Sequence, residues 1–262
     1  MGLSMSPTAE GIQRLKELYG RVSKHSHYQI MPDFLADLVD PVALNKRYRR
    51  YEVERMESFQ KNVPFQGARV VDVGANTGYF SFASAQAGAA EVVAYEGNRE
   101  HAEFLRTAAE IYHKPVRVLE EYMDFSGPLP GSPFDIILLL NVLHHVGDDF
   151  GDQSLTIDRA RREIIKNLNH LADKTKHLIL QIGFSWKTNY DFPLFAHGTK
   201  GEMIEMFREG VRGTWVIEAI GIAREEDGRT IYRELSAENI MREDRLGEFR
   251  NRPMFILKSL RC

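Results

Sequence analysis

The segment Val70-Val71-Asp72-Val73-Gly74-Ala75-Asn76-Thr77-Gly78-Tyr79-Phe80-Ser81-Phe82 constrains the fold of this chain more than any other. An apolar run carries an acid near its end, glycines follow at 74 and 78, and a helical pattern starts at once. That order predicts a buried strand, a tight loop and a helix N-terminus, a unit that presents backbone N–H groups to a nucleotide-like ligand. The spacing argues against a dinucleotide. A pyrophosphate-binding turn wants glycines two and five residues after the first. Here Asn76 and Tyr79 occupy those places, and Tyr79 is too bulky for the close helix-to-strand approach that a third glycine permits. Asp72 would repel a pyrophosphate and suits an ammonium group. The expected ligand carries positive charge where a dinucleotide carries phosphates.

Further motifs follow in order. Val92-Val93-Ala94-Tyr95-Glu96 reads as a second strand ending in an acid, about 20 residues past the glycine turn, where a ribose diol is held. Residues 115–119 read as a third strand, with Glu120, Glu121 and Tyr122 behind it. A fourth strand, Phe134 to Asn141, runs into Val142-Leu143-His144-His145. In register over residues 68–150, these motifs resemble the class I S-adenosylmethionine-dependent methyltransferases. Asn76 stands where that family's first motif usually has its middle glycine.

The resemblance implies a doubly wound, Rossmann-like α/β fold with a seven-stranded, mostly parallel sheet and a last strand antiparallel beside strand five. It implies S-adenosylmethionine as cofactor, with Asp72, Gly74, Asn76, Gly78, Tyr79, Glu96, Gly97, Asn98, Glu121, Tyr122 and Asn141 as the contacting residues. A carboxylate suits both a cationic amine and a ribose diol, because it only accepts hydrogen bonds. A finer likeness links three stretches to the methyltransferases of bacterial surface polysaccharides. These are the run from Phe134 through His145, the step Leu171-Ala172-Asp173, and Arg252-Pro253-Met254-Phe255. That likeness implies O-methylation of a sugar hydroxyl or sugar phosphate. Modification of a tRNA wobble uridine is the alternative enzyme. A cofactor-binding regulatory protein without transfer activity is the alternative of another class.

Methyl transfer from a sulfonium is an in-line displacement, so positioning supplies much of the acceleration. A hydroxyl nucleophile also needs its proton removed, which suits a neutral histidine. His145 is the expected base, with His144 the other candidate. Asp148 and Asp149 lie nearby, but adjacent side chains diverge, so no metal site is expected. The basic cluster Lys46, Arg47, Arg49 and Arg50 is read as a possible anchor for an anionic group on the acceptor, with Arg47 and Arg50 as the named contacts. Charge runs of this kind are more often solvated helix faces, and Glu54 lies four residues beyond Arg50. Trp186 and Tyr190, in a loop rich in aromatics, are candidates to stack on a sugar or a base.

With 262 residues, 43% of them hydrophobic, the chain can bury one sizeable core. The expected division is an N-terminal helical cap over residues 1–67 and a catalytic domain over 68–262, with a charged insertion at about 224–252 read as a short hairpin or helix with solvated faces. The cap pattern gives one helix with Ile12, Leu15, Leu18 and Tyr19 on a face, and a second over about 41–62. The single cysteine, Cys262, forms no intrachain disulfide and is compatible with a reducing, cytoplasmic setting. Neither a membrane span nor a signal peptide is expected. A net charge of -3 gives no broad basic field for a nucleic-acid duplex, although a local patch would suffice for RNA. Oligomeric state is not readable from the sequence.

Overall fold

The computed structural model describes residues 7–21, 28–38 and 50–262. In chain order its main elements open with helices α1 (Ala9–Gly20) and α2 (Glu52–Asn62). Strand β1 (Arg69–Val73), helix α3 (Tyr79–Gln86), β2 (Glu91–Tyr95), α4 (Arg99–Ile111) and β3 (Val116–Leu119) follow. Then come β4 (Phe134–Leu140), α5 (Ile157–His170), β5 (Thr175–Gln181) and α6 (Lys200–Gly210). The chain ends with β6 (Trp215–Glu226), β7 (Arg229–Glu234), the short helix α7 (Gly247–Arg250) and β8 (Met254–Ser259). The strands form one mixed sheet in the order β3-β2-β1-β4-β5-β8-β6-β7.

Two compact units divide the chain. The first combines residues up to 52 with 65–123. Its three strands are all parallel, and β1 and β2 are buried along most of their length because no face is left to water. Thr8 caps α1, its hydroxyl accepting from Gly11 N at 3.1 Å. Leu15, Leu18 and Tyr19 are buried at helical spacing and join Phe104, Leu105 and Ala108 of α4 in one apolar cluster, with Ile12 packed at its margin. Tyr51 has φ 58, outside the helical region, and the part of the second helical pattern beyond it forms α2 from Glu52. Residues 41–49, and with them Arg47, lie outside the described residues.

The second unit holds residues 53–64 and 124–262. Strands β4 and β5 pair in parallel, β8 enters antiparallel beside β5, and β6 pairs antiparallel with β8. The sheet has eight strands, one more than expected. The extra strand comes from the segment read as a charged insertion. Strand β6 runs into that segment as far as Glu226, turns through Asp227 (φ 50) and Gly228 (φ 73), and returns as β7. Two adjacent left-handed residues are what a tight two-residue hairpin turn requires, and Asp-Gly supplies them. Of the hairpin and helix readings of that segment, the hairpin is found at its start, joined to the main sheet, and in β7 only Thr230 is buried.

Candidate active site

In the first unit, β1 delivers Asp72 into a buried position, where its carboxylate accepts from Ser81 Oγ at 2.6 Å. The loop beyond is left-handed at Gly74 (φ 71), Asn76 (φ 54) and Gly78 (φ 89). Asparagine is one of the few residues other than glycine that visit this region readily, so Asn76 can replace the usual glycine. Gly78 is different. A Cβ there would lie 2.1 Å from Leu105 Cδ1, so α4 packs directly on the loop backbone. Gly74 N and Ala75 N both donate to Tyr95 O. The next amide, Asn76 N, donates to Glu96 Oε2 at 2.6 Å, and Asn98 N donates to Glu96 Oε1 at 2.8 Å. Glu96 therefore ties the glycine loop to the end of β2. Asn98 caps α4, accepting from His101 N at 3.2 Å, and Gly97 lies so close to Tyr122 that a Cβ would meet its ring at 2.5 Å. Tyr122 is itself 56% exposed. Burial, and after it the neighbouring Glu121 carboxylate, pushes the Tyr95 phenol pKa up.

Two residues of this unit escaped the sequence reading. His101 is buried beneath the loop, its Nδ1 3.3 Å from Asn76 Nδ2 and 3.8 Å from Glu96 Oε1. Gln29 reaches the first turn of α3, where its Oε1 accepts from Tyr79 N at 2.9 Å. The position of Asn98 just before a helical pattern was a usable signal for His101. Nothing local marked Gln29, 50 residues away from Tyr79.

In the second unit, β4 ends at Asn141, which takes φ 62 and turns the chain into a short 3-10 helix, Leu143–His145. Asn141 is a hub. Its N donates to Gln181 O at 2.6 Å, and its Oδ1 accepts from Arg252 Nη1 at 2.7 Å. Arg252 also donates to both carboxylate oxygens of Glu248, at 2.5 to 3.1 Å, and Glu248 accepts from Phe184 N. Arg55 of α2 donates to Gln181 Oε1 at 3.2 Å. The guanidinium carbons of Arg55 and Arg252 lie 5.1 and 5.0 Å from the centre of the Phe249 ring.

The two histidines differ. His144 is buried, and Gly183 N donates to its Nδ1 at 3.3 Å, which leaves the ring proton of the neutral form on Nε2. Burial first, then His145 and Arg252, hold its pKa well below the usual 6.5. The folded pKa is thus depressed. The stability this group contributes is complete above the unfolded value of about 6.5, declines below it, and is lost at the folded pKa. Urea midpoints of the wild type should accordingly fall between pH 7.5 and 5.5, and those of His144→Gln should fall less. Parallel losses in the two proteins would assign the pH dependence to other groups.

His145 is mostly covered but reachable, with its side chain 14% exposed. Its Nδ1 lies 3.3 Å from Asp149 Oδ2, and its Nε2 lies 3.4 Å from Thr188 Oγ1. A carboxylate, an imidazole and a hydroxyl thus stand in sequence, the arrangement that orients a general base. The expectation that Asp148 and Asp149 diverge from the histidines is corrected here. The turn after the 3-10 helix, in which Asp148 N and Asp149 N donate to His145 O, brings ligand atoms of His145, Asp148 and Asp149 within 4.8 Å of one another, a set that a divalent cation could also use.

The substrate candidates are placed unevenly. Arg50 lies with its guanidinium carbon 4.1 Å from the centre of the Tyr28 ring. Trp186 is buried at 6% exposure, and its Nε1 donates to Val146 O at 2.6 Å, so it pins the loop and offers no free stacking face. Tyr190 is 76% exposed and Phe192 48% exposed. Among the described residues, no helix is long and apolar enough to cross a membrane.

Residues 70–162 match a family model described as a methyltransferase domain. No curated protein matches the chain. Among solved structures, it is similar to WbdD, described as a bifunctional kinase-methyltransferase, at 17% identity and a TM-score of 0.55, over 93% of this chain and 46% of that one. It is similar also to the magnesium protoporphyrin IX methyltransferase ChlM from Synechocystis PCC 6803, solved with bound SAM. There the identity is 15% and the TM-score 0.50, over 96% of this chain and 92% of that one. The chain thus spans less than half the length of WbdD. These likenesses show a Rossmann-like methyltransferase fold.

Proposed function

We propose that this chain, which carries a class I S-adenosylmethionine-dependent methyltransferase domain, is an O-methyltransferase for a sugar hydroxyl or a sugar phosphate. The observation that carries the chemistry is the sequence Asp149–His145–hydroxyl, with spacings of 3.3 and 3.4 Å. Asp149 favours the tautomer with the proton on Nδ1, which leaves the Nε2 lone pair for the acceptor proton.

The first unit suits the cofactor. Each oxygen of Glu96 accepts one backbone N–H, and a carboxylate has about four acceptor sites, so capacity for a ribose diol remains. The exposed Tyr122 ring against Gly97 offers a face for a purine. When bound, S-adenosylmethionine supplies a methyl group on a positively charged sulfur. His145 takes the acceptor proton, and Asp149 stabilises the imidazolium that results. His144, held neutral by burial, adds no competing charge beside it. The exposed rings of Tyr190 and Phe192 suit the apolar face of a sugar, and Arg50 suits an anionic group on the acceptor. The glycan direction rests on the polysaccharide-methyltransferase likeness of residues 134–145, 171–173 and 252–255.

The test has two halves. Release of S-adenosylhomocysteine is measured with nucleotide sugars, phosphorylated oligosaccharides and unmodified tRNA. Turnover on a sugar is expected, whereas turnover on tRNA alone would overturn the acceptor class. Calorimetry of Glu96→Ala should show a loss of about 1.5–3 kcal/mol in cofactor binding, roughly tenfold to a hundredfold in affinity. Undiminished affinity would remove Glu96 from the cofactor site.

A further inference from the structure

We infer that Thr188 is a positioning residue for the transfer, its hydroxyl holding His145 Nε2 at the station that the acceptor hydroxyl takes. This rests on the reading of His145 as base. Three observations converge on it. Lys187 (φ 54) and Thr188 (φ 56) are both left-handed, and neither is glycine. A β-branched residue is a true outlier in that region, and such outliers persist only where the surroundings over-determine them. The surroundings here do. Trp186 anchors the turn to Val146, the residue after His145, through its indole N–H at 2.6 Å. Its own N donates to Phe192 O at 2.8 Å, Asn189 N returns to Trp186 O at 2.9 Å, and the Lys187 ammonium lies 4.3 Å from the centre of the indole ring. The turn is thus clamped on both sides of the strained pair.

A role confined to shape would need no hydroxyl, and glycine would hold the same backbone without strain. Threonine keeps the strain, and its Oγ1 falls 3.4 Å from Nε2. With the Asp149 carboxylate 3.3 Å from Nδ1, the proton is drawn to that nitrogen and the Nε2 lone pair is presented to an alcohol. Rotation of the threonine side chain about χ1 frees that lone pair for the acceptor hydroxyl. The chemistry recognised is a neutral alcohol. A protonated amine would bring a second positive charge to a base that must itself become cationic.

The test reads the ring nitrogens of His145 directly, by 15N NMR of histidine-labelled chain without ligand, with His145→Gln to assign the signals. In wild type the Nδ1-protonated tautomer should dominate. In Thr188→Val the Nε2 resonance should move toward that of a nitrogen without a hydrogen bond, and Thr188→Ser should restore it. Thr188→Gly should raise Tm as the left-handed strain is relieved. On an alcohol turned over by the wild type, Thr188→Val should lower kcat with little change in KM, and serine should rescue it. A Thr188→Val chain with wild-type nitrogen signals would overturn the inference, whatever its activity. Normal kcat in His145→Ala beside the expected nitrogen shifts would instead remove the base reading and leave the hydroxyl grip standing.

Discussion

Replacing His145 with alanine should lower kcat by about 10²–10⁴, the range for a positioned general base, equivalent to roughly 3–5 kcal/mol of barrier. Cofactor affinity should survive, because Asp72 keeps its partner Ser81 and Glu96 keeps the Asn76 and Asn98 amides, all within the first unit. Asp149→Asn should give a smaller loss, since the imidazole would remain while its tautomer is no longer enforced. A His145→Ala enzyme with near-normal kcat would mean that positioning alone drives the transfer. The same experiment decides the use of the neighbouring acids. Dialysis against EDTA should leave wild-type turnover intact. Turnover lost to EDTA and restored by magnesium or manganese would reassign His145, Asp148 and Asp149 to a cation.

Arg252→Ala should destabilise the chain by about 3–5 kcal/mol, the usual loss when one partner of a buried pair is removed. The Arg252 side chain is 8% exposed and that of Glu248 is 20% exposed, so the carboxylate left behind has little water to turn to. Asn141 Oδ1 loses a donor at 2.7 Å, and Phe249 loses a guanidinium neighbour. Urea denaturation should show an early midpoint with an unchanged m-value. Arg252→Met combined with Glu248→Leu should recover much of the loss, because an apolar pair of similar volume has no stranded charge. A single variant within 1 kcal/mol of wild type would show that the pair is screened and contributes little.

The core strands and the glycine loop were legible because each rests on a local signal. Apolar runs marked β1, β2 and β4, and turn residues bounded them. The first helix was equally plain, with Leu15, Leu18 and Tyr19 buried as their spacing required. What escaped depends on partners distant in sequence or on backbone torsions. Nothing local announced that the Asn141 side chain engages Arg252, 111 residues further along. Asp149 was read beside His145 as a diverging neighbour, until the turn after the 3-10 helix brought it to ion-pair distance. The hairpin of β6 and β7 has the opposite lesson. Its Asp-Gly turn was present in the sequence, but a strand with one fully buried residue carries almost no apolar alternation.

That eighth strand closes the sheet on one side, and its charges govern what can add there. A second copy of β7 laid antiparallel about Ile231 would set Arg229 of each chain against Arg233 of the other. Like charges directly opposite on a ladder repel. Within the chain, Arg233 is already matched to Glu226 across the hairpin at 2.6 Å, so its charge answers an internal partner first. The margin that could otherwise template a neighbour is thereby made a poor strand acceptor. Self-association through this border is disfavoured by the residues that form it.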